Sequence, residues 1–120
     1  MSKVVLRDLV DTDKIVTVYG VSKKSTSVKV RRVKLNKVND YWYGPRIKLS
    51  YYDKNDKISS ASYINNDEGL RNSYYAEYNG YIYYLDVKKA HEVVVSNIRA
   101  QKRELDKKQM DVQRILARYE

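Results

Sequence analysis

The chain has 120 residues, no cysteine and a formal net charge of +9. That length bounds it to one domain with at most an appendage. The missing cysteines exclude a disulfide framework and a thiol nucleophile, and no apolar run reaches the about 20 residues a membrane span needs. With no signal-peptide pattern at Met1, Ser2 and Lys3, the expectation is a soluble, cytoplasmic protein with no membrane contact.

The charge is unevenly spread. Residues 1–57 hold 14 Lys and Arg against six acids, so nearly the whole surplus lies there. Lys23, Lys24, Lys29, Arg31, Arg32, Lys34 and Lys37 fall within one 15-residue stretch that contains no acid. Such asymmetry points to a basic face and a polyanionic partner. It is also how a Lys-rich surface stays soluble. The aromatic set is 13 Tyr and one Trp with no Phe. A chain that uses Tyr alone places many rings half in and half out of water, which suits a binding surface.

In chain order, Ser2 to Asp13 reads either as a helical turn, with Val5, Leu6, Leu9 and Val10 on one face, or with Val4 to Leu6 as an edge strand; the helical turn is the expectation. Ile15 to Val21 is a strand, and Ser22 to Thr26 a polar turn. Ser27 to Val38 is a second, antiparallel strand. Val28 and Val30 sit on the opposite parity to Val33 and Leu35, so a bulge at Arg31-Arg32 is expected to bring both pairs to the core. Asn39-Asp40 reads as a turn, followed by the cluster Tyr41, Trp42, Tyr43 and the break Gly44-Pro45. Arg46 to Tyr52 alternates, with Ile47, Leu49 and Tyr51 inward. Ile58 to Ile64 is a Ser-rich strand, and Gly69 is the expected positive-φ residue of the loop after it.

Tyr74 to Tyr78 and Tyr81 to Leu85 flank Asn79-Gly80, the strongest signal for a two-residue type I′ hairpin turn. Asp86 is the expected N-cap of a long helix, since no Gly or Pro follows Gly80. Val87, Ala90, Val93, Val94, Val95 and Ile98 are expected to pack on the sheet. The three consecutive valines suit a last strand equally well. Further on, Ile98, Leu105, Val112 and Tyr119 recur at heptad spacing, beside a seam of Val87, Val94, Gln101, Lys108 and Ile115.

The fold class expected is α+β: a small antiparallel β-barrel or curved sheet of five to six strands, followed by a long C-terminal α-helix. Residues 1–85 form the basic, tyrosine-rich β domain and 86–120 the helix. Its distal part overhangs a body only about 30 Å across unless the helix bends back or breaks.

Catalysis finds little support. His91 has no cysteine or base partner in view, and no phosphate-binding glycine loop or zinc-protease motif appears. Asp11 and Asp13 fit an Asp-rich turn better than a metal site. No catalytic residue, metal or cofactor is assigned. The expected function is a non-enzymatic binding protein that contacts nucleic acid or a nucleoprotein. The seven cations above, with Arg46 and Lys48, would meet phosphates, while Tyr41, Trp42, Tyr43 and Tyr52 would stack bases. Two alternatives stay open. One is a protein-binding inhibitor or regulator of a nucleic-acid-processing enzyme, of the small phage or mobile-element type; the other is a structural subunit of a larger assembly. The helix stripe of Ile98, Leu105, Val112, Ile115, Leu116 and Tyr119 needs a partner, and a homodimer is the first expectation.

Overall fold

The computed structural model describes residues 4–40, 42, 44–65, 71–77 and 79–119. A 3-10 turn at Leu6–Leu9 precedes six strands: β1 (Val16–Val21), β2 (Lys29–Asp40), β3 (Gly44–Tyr52), β4 (Ile58–Asn65), β5 (Tyr74–Ala76) and β6 (Ile82–Tyr84). One helix, α1 (Val87–Ala117), follows. The strands form a single antiparallel sheet in the order β4-β3-β2-β1-β6-β5, curled into a half-barrel. The fold is α+β.

Strand alternation sorts the side chains. Val18, Val33, Leu35, Ile47, Leu49, Tyr51, Tyr75 and Tyr83 point into the curl and are all but fully buried. Leu6 plugs one end of it. The Leu6 N–H donates to the Asn72 carbonyl at 2.8 Å, and Val10 bridges to Leu35, so the N-terminal segment closes that end of the half-barrel. Complete burial of an aliphatic side chain such as Leu6 is worth about 1.5–3 kcal/mol.

The outer face of β1 and β6 holds the second cluster. Val21 packs with Ala90 and Val94 of α1, flanked by Tyr19, Val28, Tyr84 and Val93. The Asp86 side chain accepts the Lys88 N–H at 2.9 Å and caps the helix as expected. The turn after β1 is tied down too. Asn97 Nδ2 donates to the carbonyls of Ser22 (2.9 Å) and Ser25 (3.1 Å), and Gln101 Nε2 to that of Lys24 (3.2 Å).

Several expectations change. There is no bulge at Arg31-Arg32, because β2 pairs residue by residue with β1 from Val16↔Val33 to Gly20↔Lys29. Only Val33 and Leu35 therefore enter the core. Val28 turns outward under the helix, and Val30 is 59% exposed. The irregularity lies instead between β3 and β4, at Tyr51/Tyr52. Asn39 and Asp40 belong to β2, which pairs with β3 as far as Asp40↔Gly44, so they do not form the turn. The tyrosine hairpin has a three-residue loop, not type I′. The Gly80 N–H donates to the Glu77 carbonyl (3.1 Å) and the Glu77 N–H to that of Tyr81 (2.9 Å). Gly80 has φ +85°, while Tyr78 lies outside the described residues. Asn79 Oδ1 accepts the Tyr81 N–H at 3.0 Å. Val93 to Val95 are helical, and of the six residues expected on the sheet Val87, Val95 and Ile98 are exposed. The sheet covers only one side of the helix. Gly69 lies outside the described residues.

Candidate functional site

The curl of the sheet divides the basic residues of β2. Arg31 points inward and Arg32 outward, since neighbours on a strand face opposite ways. The outer group sits on β2 and β3 and comprises Arg32, Lys34, Arg46, Lys48 and Tyr52. Arg32 is paired with Tyr52 across the strands, and Lys48 with Tyr63 of β4. The Lys34 Nζ lies 5.5 Å from the Tyr52 ring centroid, and the Arg46 guanidinium 4.2 Å from that of Tyr63. Four cations thus interleave with two rings over three adjacent strands. Tyr63 is absent from the sequence-based set. Its signal was the cross-strand register, which places it opposite Lys48 and which a Ser-rich strand does not reveal by composition.

Two of these cations carry local counter-ions. Arg32 meets Asp56 at 2.6 Å, and Lys34 meets Asp13 at 3.0 Å. The hydrogen bond that Lys34 donates to Asp13 raises the Lys34 pKa above its ordinary value, so Lys34 stays charged. Both acids are open to water, where such pairs are weak and screened by salt. Asp11 is held differently. Its carboxylate accepts the Lys37 N–H at 3.1 Å and the Asn36 side chain at 3.3 Å, and both Asp11 and Asp13 have positive φ. The acids of this segment shape its turn.

The other predicted residues lie elsewhere. Lys23 and Lys24 occupy the turn docked on α1. Lys29 and Arg31 stand at the open mouth of the curl, with Lys29 Nζ 5.4 Å from the Tyr81 ring and the Arg31 guanidinium 3.7 Å from the Tyr51 ring. Lys37 shares the row of Leu35 but is exposed. Trp42 is 83% exposed at the β2–β3 turn, while Tyr41 and Tyr43 lie outside the described residues. The helix residues Ile98, Leu105, Val112, Ile115, Leu116 and Tyr119 are all exposed.

Inside the mouth, a chain of hydroxyls ends on a carboxylate. Tyr51 donates to Glu77, so Tyr75, 2.8 Å away, must donate to Tyr51. Ser62 of β4 donates to the same Glu77 oxygen at 3.0 Å. Glu77 follows β5, so this carboxylate ties together the two edge strands of the sheet. Burial pushes the pKa of Tyr51, Tyr75 and Tyr83 upward, reinforced at Tyr51 by Glu77. Tyr51 is inward as expected, and Tyr75 and Tyr83 are core residues too, where the sequence suggested half-wet rings; the Tyr83 hydroxyl is buried without a hydrogen-bond partner among the described residues.

Comparison with family models, curated proteins and solved structures found no match for this chain. Among the described residues, no helix is long and apolar enough to cross a membrane.

Proposed function

We propose that this chain is a non-enzymatic, cytoplasmic binding protein that holds a nucleic acid, alone or within a nucleoprotein, against the outer face of β2, β3 and β4. The interleaving of Arg32, Lys34, Arg46 and Lys48 with the rings of Tyr52 and Tyr63 carries the reading. Cations at this spacing release counter-ions from a phosphate backbone. Rings held in place by a cation on one side offer their other side to an unstacked base, the mode by which sheets take single strands. Asp13 and Asp56 keep Lys34 and Arg32 extended over the sheet, and a phosphate replaces them at little cost because both pairs open to water. No reaction is assigned: His91 Nδ1 lies 3.0 Å from the Val87 carbonyl on its own helix, and Asp11 is spent on backbone.

Titration of labelled single-stranded RNA and DNA by fluorescence anisotropy, at low and at physiological salt, tests the reading. Binding that weakens steeply with salt supports it; no binding at low salt overturns it. A second reading, a regulator docked on a nucleic-acid-processing enzyme, is favoured by the apolar row on the projecting half of α1, which a foreign partner would cover.

A further inference from the structure

Gln101 makes the last hydrogen bond from α1 to the body, and every residue from Lys102 to Tyr119 is exposed. The molecule measures 69 × 37 × 31 Å because this arm stands clear of the sheet. The arm is not polar all round. Val94 is buried on β1, and the same heptad seam runs on through Gln101 and Lys108 to Ile115. Beside it run Leu105 (64% exposed), Val112 (55%) and Tyr119 (84%). The stripe that seats the helix on the sheet continues past the edge of the body.

We infer that the arm pairs antiparallel with the arm of a second copy, centred near Met110. Three observations select this occupant and this direction. The first is Lys108. In a parallel pair each Lys108 meets its twin in the same core layer, and like charges there repel. In the antiparallel pair it lies level with Val112 of the second copy, next to Asp111, and Asp106 comes level with Arg114.

The second is the distribution of charge. Residues 1–101 carry 18 Lys and Arg against 11 acids, a surplus of +7, while residues 102–120 carry only +2. A parallel pair sets two +7 bodies side by side. The antiparallel pair holds them apart by an arm of about 25 Å at about 1.5 Å per residue, several times the screening length of about 8 Å at physiological salt.

The third is length. Centring on residue 110 brings Tyr119 of one arm level with Gln101 of the other. Gln101 is where the body begins. The pairing uses the whole exposed stretch and runs into neither body. It also sets Leu105 against Ile115. None of this depends on what the outer face of the sheet binds, so loss of nucleic-acid binding leaves it standing.

The chain has no cysteine, so introduced ones report geometry without interference. A full-length Leu105→Cys variant and a 15N-labelled full-length Ile115→Cys variant are mixed reduced, then oxidised, and the cross-linked species are told apart by mass. The antiparallel pair predicts that the mixed 105–115 disulfide dominates, since two copies of position 105, or two of 115, are roughly 15 Å apart along the axis, beyond the about 7 Å limit for bridging. A parallel pair gives each variant cross-linked to itself, which overturns the proposal. Sedimentation of the unmodified chain is expected to show a dimer, weakened at least tenfold by Val112→Lys. A monomer at all accessible concentrations, or a dimer indifferent to Val112→Lys, also overturns it.

Discussion

Gly20 of β1 lies against the ring of its cross-strand partner Tyr83: a Cβ at position 20 would stand 2.4 Å from Tyr83 Cε1 and 2.8 Å from Cδ1. The ring is fully buried, stacked 5.3 Å from Tyr75 and tilted 6.1 Å from Tyr51. It cannot move aside without disturbing both. Glycine in mid-strand ordinarily weakens a sheet; here it makes the space that the tyrosine cluster fills.

Gly20→Ala is therefore expected to destabilise the protein, by about 1–3 kcal/mol as overpacking usually does, despite the better strand propensity of alanine. Urea denaturation measures it. A midpoint equal to or above that of the parent would show that the ring moves freely.

Glu77 joins the edges of the half-barrel through Tyr51 and Ser62. Glu77→Ala leaves the Tyr51 hydroxyl covered without its acceptor, at an expected cost of about 1–3 kcal/mol. In the double variant with Tyr51→Phe the loss should be smaller than the sum of the two single losses, because the Tyr51–Glu77 hydrogen bond is then broken only once. A double-mutant cycle by chemical denaturation checks this, and strict additivity would mean the two groups do not interact in solution.

Alkaline pH provides a separate test of the buried tyrosines. Burial raises the pKa values of Tyr51, Tyr75 and Tyr83 in the folded protein above the ordinary tyrosine value of 10.0. In the unfolded chain the same groups ionise near 10, so there the unfolded state binds fewer protons than the folded one. Stability is then full below about pH 10 and falls as pH rises above it. Tyrosinate absorbance should show surface tyrosines titrating first and a remainder appearing only as circular dichroism reports unfolding. If all 13 tyrosines ionise together while the native spectrum persists, the hydroxyl chain is not buried.

Much of the fold was legible in local signals. Turn residues at regular spacing marked the strands, the alternation at Ile47, Leu49 and Tyr51 gave the inward row of β3, and Asp86 announced the helix. What escaped is set by pairing between distant strands. The parity clash of Val28 and Val30 with Val33 and Leu35 suggested a bulge, but the helix covers Val28 from outside and Val30 stays wet, so none is needed. Asn79-Gly80 suits two turn types, and the register Ala76↔Ile82 selected the longer loop. The basic stretch was visible as charge, yet one residue separates Arg31 from Arg32 and the sheet sends them to opposite faces. Tyr63 entered the site only because β4 pairs with β3.

The most direct test compares two sets of cations on one protein. Binding of a labelled single strand is measured over a range of salt for the parent, for an outer-face variant (Arg32→Gln, Lys34→Gln, Arg46→Gln and Lys48→Gln) and for a mouth variant (Lys29→Gln and Arg31→Gln). The account predicts that the outer-face variant loses most of its affinity. Its log affinity against log salt should flatten by about 3 units of slope, at about 0.7 for each phosphate contact removed from a single strand. The mouth variant should bind much as the parent does. Equal losses in both variants, or loss in the mouth variant alone, would contradict a nucleic-acid site on the outer face of β2, β3 and β4.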